Sequence, residues 1–268
     1  MFPGADAERE SADYVIVGAP LDVSTTFQPG TRFGPDRLRQ FARTFDDYDP
    51  HADSHFSSLD VHDHGGVHAW DDAAEYLDYL EGVVTDVEWD DAVPLLLGGE
   101  HTITIAAVRA LDPDVFVCLD AHLDLREAYD GNELSHSTVA QHALDVADEA
   151  IILGARTGSE AEWERAGEED VTVVPPEDVA GWTPPKSLAR EDVYLSVDID
   201  AADPAYAPGT GTLEPFGLTS REMREVVRAV APHSVGFDVV EVNDRDDGQA
   251  ATLGAKLLRE FVFAHATQ

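Results

Sequence analysis

Three short runs of this chain carry carboxylates and imidazoles at spacings suited to divalent cations. Gly98-Gly99-Glu100-His101 offers one imidazole. Asp120-Ala121-His122-Leu123-Asp124 offers a second imidazole and two carboxylates, and Asp198-Ile199-Asp200 offers two more. Residues two apart on an extended segment point the same way, so Asp120, His122 and Asp124 can face one centre, as can Asp198 with Asp200. Four carboxylates and two imidazoles are too many anionic ligands for one ion, but they suit two divalent ions sharing bridging carboxylates. An oxygen-rich set without thiolate favours Mn2+ over a structural zinc. Asp-x-Asp alone carries little weight here, since it recurs at Asp112/Asp114 and Asp244/Asp246. The other reading of the three runs is solvated acidic loops.

Placement favours the metal reading. Apolar runs rich in Val and Ile at 14–17, 93–97, 115–119, 151–153, 171–174, 193–197 and 235–240 read as buried strands, each ending at glycine, proline or an acid. Amphipathic stretches at 72–87, 102–111, 138–147, 220–230 and 249–263 read as helices. The alternation predicts an α/β fold of three layers, α-β-α, with a mainly parallel central sheet. Ligands of such sheets bind beyond the carboxyl ends of the strands, and all three runs fall at such ends. No repeat, low-complexity tract or linker divides residues 1–268, so one domain is expected.

The same residues resemble the motifs of the ureohydrolase (arginase/agmatinase) family. The run from Gly98 to Ile103 is similar to GGEH[ST], and Asp120 to Arg126 is similar to DAHxDxR. Residues 196–211 resemble S-x-D-x-D-x-x-D-P-x-x-x-P-G-T-G, and the likeness extends to 29–35 and to Val240-Glu241-Val242-Asn243. The chain departs from the family at Gln141-His142, Leu213, Phe216 and Asp244, none of them a ligand position. The resemblance implies an arginase-like fold and two Mn2+ per subunit. His101, Asp120, Asp124 and Asp198 would hold one ion, and His122, Asp120, Asp198 and Asp200 the other. It further implies a bridging hydroxide that attacks a guanidinium carbon, with Asp124 relaying a proton to the departing amine. Glu241 would bind the guanidinium, His136 would shuttle protons beside it, and the chain would form a homo-oligomer, trimer or hexamer.

The chain has 268 residues, of which 17 are Lys or Arg and 54 Asp or Glu, giving a formal net charge of −37. Its hydrophobic fraction of 43% is enough to fill a core despite that charge. So acidic a surface repels phosphate backbones and anionic lipid, which argues against nucleic-acid and membrane-surface partners. Without a long apolar run or a basic-then-apolar leader, a cytoplasmic protein is expected. Cys118 alone permits no disulfide framework and reads as a small core residue, and Trp70, Trp89, Trp163 and Trp182 are isolated. His51, His55, His62, His64 and His68, with Asp60 and Asp63, read as a solvated loop or edge strand rather than a second metal site.

Within the family, the segment 127–135 is short and offers Asn132 and Ser135 but no Arg or Lys to hold an α-carboxylate. A small cationic guanidino compound suits the acidic field, and agmatine, cleaved to putrescine and urea, is the expected substrate. Formimidoylglutamate, guanidinobutyrate and arginine are the alternatives within the family, and a non-catalytic acidic metal-binding protein is the alternative outside it. Lys occurs only at Lys186 and Lys256, and acids are spread along the whole chain, which points to adaptation to molar salt. Salt shortens the Debye length from about 10 Å at 0.1 M to about 3 Å at 1 M and so relieves self-repulsion. The melting temperature should therefore rise with KCl over that range, and a flat or falling curve would contradict the adaptation.

Overall fold

Apolar β-branched runs form strands because branched side chains pack well on a pleated surface. In the computed structural model, which describes residues 1–68 and 71–267, these runs and the stretches between them fold in the expected alternation. The chain begins with β1 (Tyr14–Ala19), α1 (Gly34–Ala42), the short pair β2 (Tyr48–Asp49) and β3 (Ser54–His55), and β4 (Val61–Gly66). It continues through α2 (Ala73–Trp89), β5 (Val93–Gly98), α3 (Thr104–Leu111), β6 (Val115–Leu119), α4 (Val139–Ala143) and β7 (Glu149–Leu153). Then follow α5 (Glu160–Arg165), β8 (Val171–Val174), α6 (Pro176–Val179), β9 (Val193–Asp198), α7 (Ser220–Val230), β10 (Ser234–Val240) and α8 (Gln249–Ala266).

Eight strands form one sheet in the order β4-β1-β5-β10-β9-β6-β7-β8. Every pairing in it is parallel. Alternation along each strand divides the core into two layers. Ile16, Leu95, Leu97, Val117, Leu195 and Phe237 pack with Leu38, Val226 and Leu258 from α1, α7 and α8. Val15, Val17, Leu96, Phe116 and Tyr194 pack on the other face with Leu77, Leu80, Val84 and Ala106 from α2 and α3. No helix of the described residues is long and apolar enough to cross a membrane.

Local chemistry sets the helix starts. Asp72 accepts a hydrogen bond from the Glu75 N–H at the head of α2, and Thr219 and Glu222 form a reciprocal capping box at α7. Two stretches depart from the expected elements. The 138–147 stretch is helical as α4 only over Val139–Ala143, and α1 starts inside the Gly/Pro segment 29–35, with Pro35 in its first turn. The histidine-rich region resolves into β2, β3 and β4, the last an edge strand, and its imidazoles lie outside the candidate centre described below; Trp70 falls outside the described residues.

Edge strand β4 is tied down by one buried ion pair. Asp63 accepts the Arg39 Nε–H at 2.9 Å and Nη2–H at 2.7 Å, with side-chain exposures of 0% and 8%. Burial alone would raise the Asp63 carboxyl, but the Arg39 guanidinium and the Gly65 and Phe2 N–H groups hold it below the usual range. The unfolded chain therefore binds this proton near pH 4 while the folded chain does not. The stabilisation is complete above that pH and is lost as pH falls below it. Asp63→Asn should cost about 3 kcal/mol at neutral pH and should flatten the acid side of the stability curve, read by urea unfolding at pH 7 and below pH 4.

Candidate metal centre

Strands β5, β10, β9 and β6 are neighbours in the middle of the sheet, and a residue of the candidate site stands at or within three residues after the end of each. Chain order reverses there, which opens a crevice at the strand ends. After β5 the chain turns through Gly98-Gly99. A Cβ on Gly99 would stand 2.0 Å from the Leu21 carbonyl oxygen, so only glycine lets the segment after β1 lie against this turn and leave His101 facing the crevice. Asp120 follows β6 and Asp198 closes β9. Asp200 sits in the next turn, its N–H donating to Asp198 Oδ1 at 2.8 Å. Asp124 and Glu241 both adopt left-handed backbone conformations, φ 52° and 60°. Such conformations cost a non-glycine residue roughly 1–3 kcal/mol and concentrate at functional sites.

All six candidate ligands meet. The His101 Nδ1 atom lies 3.2 Å from Asp120 Oδ2, 3.0 Å from Asp124 Oδ2 and 3.6 Å from Asp198 Oδ2. The His122 Nδ1 atom lies 3.4 Å from Asp120 Oδ1 and 3.1 Å from Asp200 Oδ2. These are two nodes, each led by one imidazole, and Asp120 gives one oxygen to each. His101 Nδ1 is buried with no hydrogen-bond partner among the described residues, although three carboxylate oxygens surround it. A cation is what such a ring nitrogen and its carboxylates lack, so the residues fit a pair of divalent ions.

The crowding shows in the acid–base behaviour. Burial and the charge of Asp120 push Asp124 up to about 7. Burial, then Asp200 and Asp120, raises Asp198 well above the usual carboxylate range. Burial by itself would lower the His101 ring, but Asp120 and Asp124 outweigh it and raise the ring far above its ordinary value. Raised acids beside a raised imidazole mark a site short of positive charge, which divalent cations would supply.

Cys118 also stands near His101 and Asp120, close enough for the three to form a conceivable ligand group. Its Sγ, however, lies 3.9 Å from His101 Nε2, the nitrogen turned away from the carboxylates, and burial pushes the thiol pKa up, keeping the proton on. That Nε2 is 3.0 Å from Ser196 Oγ, and the Ser196 hydroxyl donates to Asp238 Oδ1 at 2.6 Å. Having given away its one hydrogen, Ser196 can only accept from Nε2–H, which leaves Nδ1 as the nitrogen turned to the carboxylates and available to a cation in place of a proton. Asp238 is fully buried and takes two further donors, Tyr194 Oη and Thr104 Oγ1.

The crevice opens into a pocket of about 320 Å³, lined among others by Asp124, Asp198, Asp200, His136 and Glu241. Glu241 Oε1 accepts the His101 backbone N–H at 2.8 Å, while Oε2 stands over Gly211. Burial, with Glu100 and Asp200 nearby, raises the Glu241 carboxyl well above its usual range, so a cationic ligand would suit it. His136 is held by Ser24 and Thr26, and burial lowers its ring pKa. Behind these residues lies Glu100, fully buried and unassigned by the sequence reading although the glutamate of GGEH was visible there. Its partner Ser24, and Thr26 beside His136, carried no sequence signal.

The family model described as "Arginase family" matches residues 12–264. The chain belongs to the arginase family. It is 36% identical over 272 residues to the agmatinase of Bacillus cereus, covering 94% of this chain and 92% of that one. It is 34% identical over 259 residues to the N(1)-aminopropylagmatine ureohydrolase of Thermococcus kodakarensis, covering 94% and 90%. Among solved structures, the agmatine ureohydrolase of Thermoplasma volcanium superposes with a TM-score of 0.91 at 33% identity, over 99% of this chain and 94% of that chain. The parallel sheet is thus an arginase fold, and the chain is a ureohydrolase most like the agmatinases.

Metal content separates the two ligand groupings. After equilibration with Mn2+ and desalting, Cys118→Ala should keep the wild-type metal-to-protein ratio. Asp120→Asn, which removes charge from both nodes, should lose half or more of it.

Proposed function

We propose that this ureohydrolase cleaves agmatine to putrescine and urea with two Mn2+ per subunit. His101, Asp120, Asp124 and Asp198 would hold one ion, and His122, Asp120, Asp198 and Asp200 the other. When bound, the ions supply Lewis acidity, lowering the pKa of water toward about 7 and so providing the strong nucleophile that a resonance-stabilised guanidinium demands. The observation that carries this reading is the pair of imidazole-led nodes sharing Asp120, whose members His122, Asp124, Asp198 and Asp200 line the pocket.

The protein's own groups do the rest. Glu241, pinned through Oε1 by the His101 N–H, presents Oε2 to the guanidinium nitrogens and fixes the carbon over the centre. His136 exchanges protons with the substrate on the pocket wall, and Asp124 passes a proton to the departing amine.

The wall of the pocket supports a decarboxylated substrate. Arg126 is already paired with Glu162 at 3.0 Å and stacked over Tyr129. Tyr129 and Asn132 exchange backbone hydrogen bonds around Asp130 and Gly131, both at positive φ, so the segment is a tight turn. The Asn132 side chain is spent on Leu134 within that turn. No cation near the pocket mouth among the described lining residues is therefore free to take an α-carboxylate.

One domain spanning residues 1–268, a cytoplasmic location, a trimeric or hexameric assembly and adaptation to molar salt belong to the same proposal. They rest on the sequence and the family likeness.

Urea release from agmatine, guanidinobutyrate, formimidoylglutamate and arginine by Mn2+-loaded protein in molar KCl tests the substrate. Agmatine should give the highest kcat/KM, and Glu241→Gln should lower that value by about 100-fold. Turnover of arginine alone would contradict the proposal.

A further inference from the structure

Glu100 and His136 never touch, yet one hydroxyl joins them. Glu100 accepts at Oε2 from the Val23 N–H at 2.7 Å and the Ser24 N–H at 2.8 Å. At Oε1 it accepts from the hydroxyls of Ser24 and Thr102, each at 2.8 Å. A buried carboxylate ringed by four donors is an acceptor at every contact. The Ser24 hydroxyl therefore gives its one hydrogen to Glu100 and keeps only lone pairs for its other neighbours. One of these takes the His136 backbone N–H at 3.0 Å; the other faces His136 Nδ1 at 3.1 Å. Thr102 Oγ1, 3.3 Å from Ser24 Oγ, has spent its own hydrogen on Glu100 and gives none to Ser24.

An oxygen that can only accept meets a ring nitrogen that must then donate. Ser135 Oγ, the other oxygen beside Nδ1, lies at 3.5 Å, the outer limit of a hydrogen bond. We infer that Ser24 is a positioning residue for His136: oriented by Glu100, its hydroxyl holds the ring as the Nδ1–H tautomer. Nε2 is then the nitrogen that gives and takes protons in the pocket. That atom lies 3.4 Å from the Thr26 hydroxyl, and His136 and Thr26 both line the pocket.

The device resembles a carboxylate–histidine pair with a serine inserted between the members. Glu100 thereby orients the ring while staying out of the pocket. The Val23–Ser24 backbone is held independently, by its own N–H groups on Glu100 and by Thr25 and Gly30 on Asp22. Removing the hydroxyl alone should therefore leave the loop in place. The kinetic part of this inference rests on the proposed role of His136; the tautomer does not.

The test reads both. Full-length protein with 15N-labelled histidine rings, loaded with diamagnetic Mg2+, reports each neutral ring's tautomer by nitrogen shift, and the His136 signal is assigned by its absence in His136→Asn. Wild type should show Nδ1–H at His136, Ser24→Ala should shift the ring toward Nε2–H, and Ser24→Thr should restore the wild-type state. With Mn2+ and agmatine, Ser24→Ala should lower kcat about tenfold while KM stays within about twofold, and Ser24→Thr should recover most of the loss. An Nε2–H ring in wild type overturns the inference, as does an unchanged kcat in Ser24→Ala. If wild type releases urea from no guanidino compound, the proposed function falls, and the ring spectra alone then uphold or overturn the tautomer. If Ser24→Ala fails to fold, the wild-type and Ser24→Thr spectra decide.

Discussion

Mutual repulsion among buried carboxylates is the constraint on which this molecule turns. Asp120, Asp124, Asp198, Asp200 and Glu241 are each less than 8% exposed and converge on one crevice. Two unit charges about 4 Å apart repel by about 4 kcal/mol at the effective dielectric of a protein site. No folded chain gathers five such groups without compensation. Two imidazoles supply part of it, and the raised acids Asp124, Asp198 and Glu241 show the shortfall. Divalent charge between the imidazoles and the aspartates, with a guanidinium against Glu241, would make up that deficit.

The sheet imposes the geometry. A parallel sheet places every carboxyl strand end on one edge, and the order β5-β10-β9-β6 makes the four contributing strands adjacent. Each strand is buried on both faces, so its end is rigid, and the acids inherit that rigidity. Hydrogen bonds behind them complete the alignment. Ser196 and Asp238 fix the His101 ring from behind, while Glu100 and Ser24 do the corresponding work for His136. In both places a serine gives its hydrogen to a buried carboxylate and so dictates which imidazole nitrogen carries a proton. The orientation of both imidazoles thus depends on groups buried behind the pocket.

Much of this was legible in the residues, and the remainder was hidden for definite reasons. Strands 93–97, 115–119 and 193–197 announce themselves by continuous apolar runs, and the candidate ligands follow within a few residues, so spacing was enough to single out the groups that converge. Helix α1 was not legible, because Gly34-Pro35 reads as a turn when the packing of Leu38 is unknown. Strand β4 was half legible: its polar alternation suits an edge, and the buried partner that secures it, Arg39, lies 24 residues away. Asp238 sits inside an apolar strand, where nothing marks it as the anchor of Ser196. Ser24 and Glu100 are 76 residues apart, and only the close approach allowed by Gly99 brings them together. Long-range pairings of this kind leave no periodic trace. The left-handed backbone at Asp124 and Glu241 was equally silent, since neither residue type signals it.

Two cations side by side with Asp120 between them would account for the whole arrangement of the crevice. Crystals grown with Mn2+ and measured at the manganese absorption edge test it most directly. Two anomalous peaks about 3.5–4 Å apart are expected, one against His101 Nδ1 and Asp120 Oδ2, the other against His122 Nδ1 and Asp120 Oδ1. A map with no peak in the crevice, or with one peak beside Cys118, would contradict this expectation.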